Sequence, residues 1–188
     1  MKSIDYKEII KPLLSEKRYY HSLCVCDTAV ELAKKFGANE DKAAIAGILH
    51  DIMKDTPADE QLKMMTRYDI VLSNVERNAQ KLWHAMLAPA YLENELGISD
   101  REILDAIRYH TTGRENMTIL ERVLFIADFI SADRDYPGVE NMRQAANVSL
   151  EQAMVEGITF SIKDLAQRYK PIHPDTIAAY NQVVLKYK

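Results

Sequence analysis

Cysteine is nearly absent from this chain: Cys24 and Cys26 are the only two in 188 residues. Side chains two apart on a helix point ~200° away from each other, so these thiols can neither bridge nor share one ion there. That excludes a disulfide scaffold and fits a reducing cytoplasm. An excess of basic residues is also missing. The 24 Lys+Arg face 28 Asp+Glu, for a formal net charge of −4, which speaks against a nucleic-acid or membrane-surface binder with a basic footprint. No stretch approaches the ~18 apolar residues of a membrane span. The longest candidate, 82–92, has eleven residues and contains His84. The opening Met-Lys-Ser-Ile-Asp-Tyr-Lys-Glu carries charge where a secretory signal needs an apolar core. Gly and Pro number six each, and there are no repeats and no linker. What is present is a 47% hydrophobic chain, too apolar for disorder. Its length suits one domain over 1–188, able to bury a core without staples.

The sequence reads as helix after helix. Ser73 with Glu76, Ser99 with Glu102 and Thr118 with Glu121 fit the capping box. Thr56-Pro57 reads as a cap and first-turn proline, and Gly37 and Gly97 as left-handed C-terminal caps. This punctuation predicts helices near 4–13, 16–36, 40–53, 57–67, 74–96, 100–110, 119–131, 139–147, 150–169 and 174–186. Leu23, Cys26, Val30 and Ala33 step by three and four, as do Ala43, Ala46, Gly47 and His50. Segment 43–53 is apolar nearly all round and is expected at the centre. Pro89 should kink its helix near Ala85. No segment alternates with period two, so the expected class is an all-α, compact multi-helix bundle.

Five histidines are an ordinary number; their placement is informative. His50-Asp51 ends the most apolar helix, within Ala-Ile-Ala-Gly-Ile-Leu-His-Asp-Ile-Met-Lys. Unpaired buried charge is costly. The plain alternative is a satisfied core histidine and a helix-end carboxylate. His21 lies among Tyr20, Leu23 and Val25, and His84 within Leu-Trp-His-Ala-Met-Leu. His110 ends a helix before Thr-Thr-Gly, and Asp128 interrupts Val-Leu-Phe-Ile-Ala-Asp-Phe-Ile. Each alone is more often structural. Together, four histidines and two aspartates facing one core form a polar cluster that a metal would stabilise. Imidazole with carboxylate suits iron, manganese, cobalt, nickel or zinc rather than magnesium or calcium. Thiols are too few for a structural zinc site, and a bridging Asp would allow two ions.

The order His21, His50-Asp51, His84, His110, Asp128 resembles the HD-domain superfamily of metal-dependent phosphohydrolases. More closely, the chain is similar to the YqeK family of bacterial symmetrical bis(5′-nucleosyl)-tetraphosphatases. The likeness lies in Arg18-Tyr-Tyr-His21-Ser-Leu-Cys-Val, Ala46-Gly-Ile-Leu-His-Asp-Ile-Met-Lys54 and His110-Thr-Thr-Gly113. Ala127-Asp128 with Arg134, Tyr136-Pro-Gly-Val139, Ile172-His-Pro-Asp-Thr176 and Tyr180-Asn181 extend it over nearly the whole chain. The chain departs from the pattern at Ser131-Ala132, where the family commonly has Glu-Pro.

The resemblance implies that His21, His50, Asp51 and Asp128 hold a primary ion. His84 and His110, with Asp51 as bridge, would hold a second ion or face phosphates. It implies iron; spacing alone does not select iron over manganese or cobalt, nor one ion over two. The implied reaction is hydrolysis of diadenosine tetraphosphate to two ADP by attack of a metal-activated hydroxide. Asp51 and Lys54 are the expected catalytic pair, since Lys54 lies three residues on from Asp51. Lys54 and Arg134 would bind phosphate; the plain alternatives are a solvated lysine and a surface arginine. Thr111, Thr112 and Gly113 would donate to the substrate or simply turn. Lys170, Ile172 and His173 are placed near the nucleotide, with a helix cap as the alternative for His173. The expected partner is a small dinucleoside polyphosphate or nucleotide, with no nucleic acid and no membrane; a homodimer is compatible with the sequence. Three other readings stand beside this one: a phosphohydrolase of another nucleotide, an HD-type di-iron oxygenase, and a non-enzymatic nucleotide-sensing module.

Overall fold

The computed structural model describes residues 5–186, so Ile4, the start of the first expected helix, lies outside them. Among the described residues there are eleven α-helices and no strand. They are α1 (Tyr6–Ile10), α2 (Glu16–Phe36), α3 (Glu40–Leu49), α4 (Ala58–Arg67), α5 (Asn74–Arg77), α6 (Trp83–Leu96), α7 (Arg101–Tyr109), α8 (Ile119–Ile130), α9 (Val139–Val148), α10 (Leu150–Gln167) and α11 (Pro174–Lys186). A single 3₁₀ turn, Gln80–Leu82, precedes α6. Among the described residues no helix is long and apolar enough to cross a membrane.

α8 is the hub. Leu120, Val123, Leu124, Phe125, Ile126 and Ala127 are all buried, and the helix packs against α2, α3, α7, α9 and α10. α3 is the second central element, lying against α1, α2, α7 and α8. The approach of α2 to α3 depends on Gly47. A Cβ there would come 2.7 Å from the Cα of Cys26 and 3.2 Å from the carbonyl oxygen of Val25, so only glycine lets the two backbones meet.

Several helix ends fall where local chemistry, not periodicity, sets them. The helix expected over 40–53 stops at Leu49. From there the backbone closes in tight turns, Ile52 N to Leu49 O at 3.1 Å and Lys54 N to Asp51 O at 2.8 Å. The single helix expected over 74–96 is broken at 78–82. Ser73 and Glu76 do form a capping box, but it opens only the four-residue α5. Pro89 sits within α6, which continues to Leu96. The box expected from Ser99 is replaced: Asp100 caps α7 by accepting from Glu102 N. Lys42 holds both acids, at 2.8 Å to Asp100 and in a close contact with Glu102. Thr56 does not cap α4, which begins after Pro57 without a side-chain cap; its carbonyl instead accepts from Gln61. Gly37 and Gly97 do adopt left-handed caps, with φ of 78° and 68°.

Gly47→Ala is expected to destabilise the fold by about 1–3 kcal/mol, the usual cost of overpacking against atoms that cannot yield. Urea unfolding of the purified variant would measure it.

Candidate metal centre

The helices bring the six polar intrusions to one place. α2 supplies His21, the end of α3 supplies His50, and the following turn supplies Asp51 and Lys54. α6 supplies His84 in its second position, α7 supplies His110 as C-cap, and α8 supplies Asp128. The imidazoles form a file: His21 to His50 at 5.3 Å between ring centroids, His50 to His110 at 5.0 Å, and His110 to His84 at 5.2 Å. All four are buried.

His50 and His110 are oriented alike. Each follows a helix whose last four carbonyls lack helical partners. Each donates from Nδ1 to the carbonyl three residues back, Gly47 for His50 and Ile107 for His110, both at 2.7 Å. With Nδ1 used in this way, the lone pair sits on Nε2.

Asp51 lies between two histidine pairs. Its Oδ2 is 3.4 Å from His50 Nε2 and 3.9 Å from His21 Nε2. Its Oδ1 is 3.0 Å from His84 Nε2 and 3.7 Å from His110 Nε2. Asp128 Oδ1 is 2.9 Å from His21 Nε2 and 3.9 Å from His50 Nε2. Three overlapping triplets result: His21, His50 and Asp51; His50, His110 and Asp128; and Asp51, His84 and His110. Each has its ligand atoms within 4.8 Å of one another. These residues fit a divalent cation on a direct observation: His50 Nε2 and Asp51 Oδ1 are buried without a hydrogen-bond partner. The 3.0 Å approach of His84 to Asp51 is thus a contact without hydrogen-bond alignment. Buried polar atoms normally find partners, and a cation between them would supply one.

Two of the four imidazoles are held in the neutral form that ligates, whereas at His50 burial is outweighed by the carboxylates of Asp51 and Asp128, which raise it. Burial pushes the His84 imidazole down to about 4, against the pull of Asp51. Burial also lowers His110. Burial opposes charge on Asp51 and Asp128, but the imidazoles around Asp51, and His21 with Arg134 beside Asp128, hold both carboxyls well below the usual range.

Three cations rim the cluster. Arg18 Nη1 bonds Asp51 Oδ2 at 2.7 Å. Lys54 Nζ is 3.8 Å from Asp51 Oδ1 and 3.3 Å from His84 Nε2. Arg134 donates from Nε to the Asp128 carbonyl at 2.7 Å, contacts Asp128 Oδ1 closely, and lies 3.3 Å from His21 Nε2. Sequence reasoning gave Arg18 no role. Its position three residues before His21, on the same helix face, was the available signal. Asp133 was missed as well, although its Oδ2 stands 2.8 Å from His21 Nδ1.

The remaining expected residues stand beside the cluster. Thr111 and Thr112 follow His110 and wall a cavity of about 200 Å³ with Lys81, Arg168, Lys170, Pro171 and His173. Thr111 Oγ1 is buried and unpartnered, whereas Thr112 Oγ1 bonds the Gly113 carbonyl. His173 does not join the other imidazoles. Its Nδ1 accepts from Asp175 N at 3.1 Å, which makes it a cap of α11, and its Nε2 faces Glu76 Oε1 at 3.3 Å. Ile172 is half-buried and Lys170 exposed.

An all-helical frame around a buried imidazole–carboxylate cluster with a cationic rim defines a helical protein whose central residues could hold a metal ion. Residues 18–133 match the HD domain family model, and the chain belongs to that family. It is 39% identical to the symmetrical bis(5′-nucleosyl)-tetraphosphatase of Halalkalibacterium halodurans, over 96% of each chain. It is 41% identical to the protein of that name from Bacillus subtilis, over 93% of this chain and 94% of the relative. A solved structure from Clostridium acetobutylicum, described as a predicted HD superfamily hydrolase involved in NAD metabolism, superposes with a TM-score of 0.92 at 34% identity, covering 96% of each chain.

Asp51→Ala removes the carboxylate common to both histidine pairs. The variant is expected to lose at least about tenfold in bound metal, measured by elemental analysis of the purified protein, with an unchanged far-ultraviolet circular dichroism spectrum.

Proposed function

We propose that this chain is a metal-dependent hydrolase of dinucleoside polyphosphates that cleaves diadenosine tetraphosphate in its middle to two ADP. One observation carries the reading: Asp51 lies between two histidine pairs, and Arg18, Lys54 and Arg134 close over it and Asp128. Cations at this rim suit a polyanion, and the relatives named as symmetrical tetraphosphatases support that substrate.

His21, His50, Asp51 and Asp128 would hold a primary ion, with His84 and His110 sharing Asp51 toward a second. Imidazole and carboxylate donors suit iron, with manganese or cobalt as substitutes. When bound, a divalent ion supplies an acidified water and a Lewis acid for the phosphoryl oxygens. The chain's own residues do the rest. Arg134 offers a planar, permanently charged fork and Lys54 a mobile point charge, and together with Arg18 they neutralise phosphate oxygens and fix the substrate in line. Thr111, Lys170, Ile172 and His173 would border the nucleoside, with the cavity beside His110 as the space for it. The reading takes 1–188 as one HD domain, supported by a buried apolar cluster that includes residues from Ile10 to Ala179. It places the protein in the cytoplasm, in keeping with two free thiols. A homodimer is compatible with it and not required by the chemistry.

Incubation of the protein with diadenosine tetraphosphate and ferrous iron should give ADP as the sole nucleotide product by chromatography. AMP plus ATP, or no turnover, would overturn the reading. Lys54→Met should lower kcat/KM for that substrate roughly ten- to hundredfold, the worth of one charge-assisted hydrogen bond. Steady-state kinetics would check it.

A further inference from the structure

The imidazoles of the cluster are not all aimed by the same means. His50 and His110 are held by carbonyls of their own helices. His21 sits inside α2, where carbonyls are engaged in the helix, so it must be oriented from elsewhere. Its Nδ1 lies 2.8 Å from Asp133 Oδ2. An ionised carboxylate only accepts, so Nδ1 donates to Asp133; Nε2 is turned to Asp128 and Asp51, at 2.9 and 3.9 Å, where a bound cation would take the place of its proton.

Asp133 is itself held in place. The buried Ser131 hydroxyl donates to its Oδ1 at 2.7 Å. The backbone on either side is clamped from α9. Arg143 donates from Nε to the Ile130 carbonyl at 3.1 Å, and from Nη2 to the Ser131 and Arg134 carbonyls at 2.9 and 3.0 Å. One guanidinium thus fixes the loop that carries both Asp133 and the rim cation Arg134. Arg143 lies beyond the 18–133 stretch matched by the family model.

The geometry points to Asp133 as the positioning residue for His21, held in register by the Ser131 hydroxyl and the Arg143 clamp. This role rests on the reading of the cluster as a cation site. An outer partner of a ligating histidine fixes its tautomer and raises its basicity, and losing one typically costs 10–100-fold in metal affinity. The line Arg143, Asp133, His21 makes the segment after α8 part of the site's architecture.

The test uses the full chain and cobalt(II) as the probe, with affinity read by chelator competition. A second readout, nitrogen-15 NMR of the His21 ring in the metal-free protein, needs no metal and no turnover. Asp133→Ala should weaken cobalt binding roughly ten- to hundredfold and remove the proton from Nδ1. Asp133→Asn, which keeps an acceptor oxygen, should recover part of both. Ser131→Ala removes only the support, and should shift affinity the same way by a few-fold; it also serves if Asp133→Ala does not fold. An Asp133→Ala or Ser131→Ala protein that binds cobalt as the parent does, with an unchanged His21 tautomer, would overturn the positioning role and leave the cation site intact. A parent chain that takes up no cobalt would overturn the cation site and the role together.

Discussion

The structure turns on one buried carboxylate. Asp51 is almost inaccessible to solvent, yet its oxygens face four imidazoles and one arginine. An ion in that position is tolerated only when opposite charge and polar partners surround it. The requirement reaches outward through the fold. α3 must end at Leu49 so that Asp51 falls in a turn and not on a helix. Gly47 must be small so that α2 can bring His21 and Arg18 within reach. α6 and α7 must cross the same point to deliver His84 and His110. Each of these features would be a defect in an ordinary helical bundle, and each is accounted for by the carboxylate at the centre.

Charge around the site is arranged in layers. At the centre, burial holds His84 and His110 toward their neutral, ligand-competent forms. Around them, Asp51 and Asp128 remain ionised because positive groups outweigh the cost of burial. At the rim stand Arg18, Lys54 and Arg134, each with substantial side-chain exposure. A chain with net charge −4 thus presents a mouth ringed by three cations. Recognition of a short polyanion depends on that mouth and not on the sum over the surface.

The elements that matched the sequence reading are those governed by local rules. α2 begins and ends where a serine cap and a left-handed glycine place it, and Thr118 with Glu121 opens α8 as a full capping box. The six converging residues were legible because a lone polar residue in an apolar helix stands out against its neighbours. What escaped notice was non-local. Asp133 sits in a polar stretch where another charge carries no signal, and the one sign of Arg18 was its place three residues before His21 on the same helix face. Asp133 meets His21 across 112 positions, and Arg18 meets Asp51 across 33. The break at 78–82 was hidden because Trp83 and Leu82 continue the apolar pattern. The break is tied across seven residues, with the Trp83 indole donating to the Glu76 carbonyl at 2.7 Å.

The sequence alone determined an all-helical chain, most of its helix boundaries, and the six residues that converge on one another, because periodicity, caps and the cost of buried charge act within a few residues. The tertiary structure alone decided how those six share their atoms. Only there does Asp51 divide its oxygens between two histidine pairs, Asp133 turn His21, and His173 go to Glu76 and its own helix end instead of the other imidazoles. Those outcomes depend on which helix faces cross and how closely. That is set by packing over the whole chain, and no window of sequence contains it.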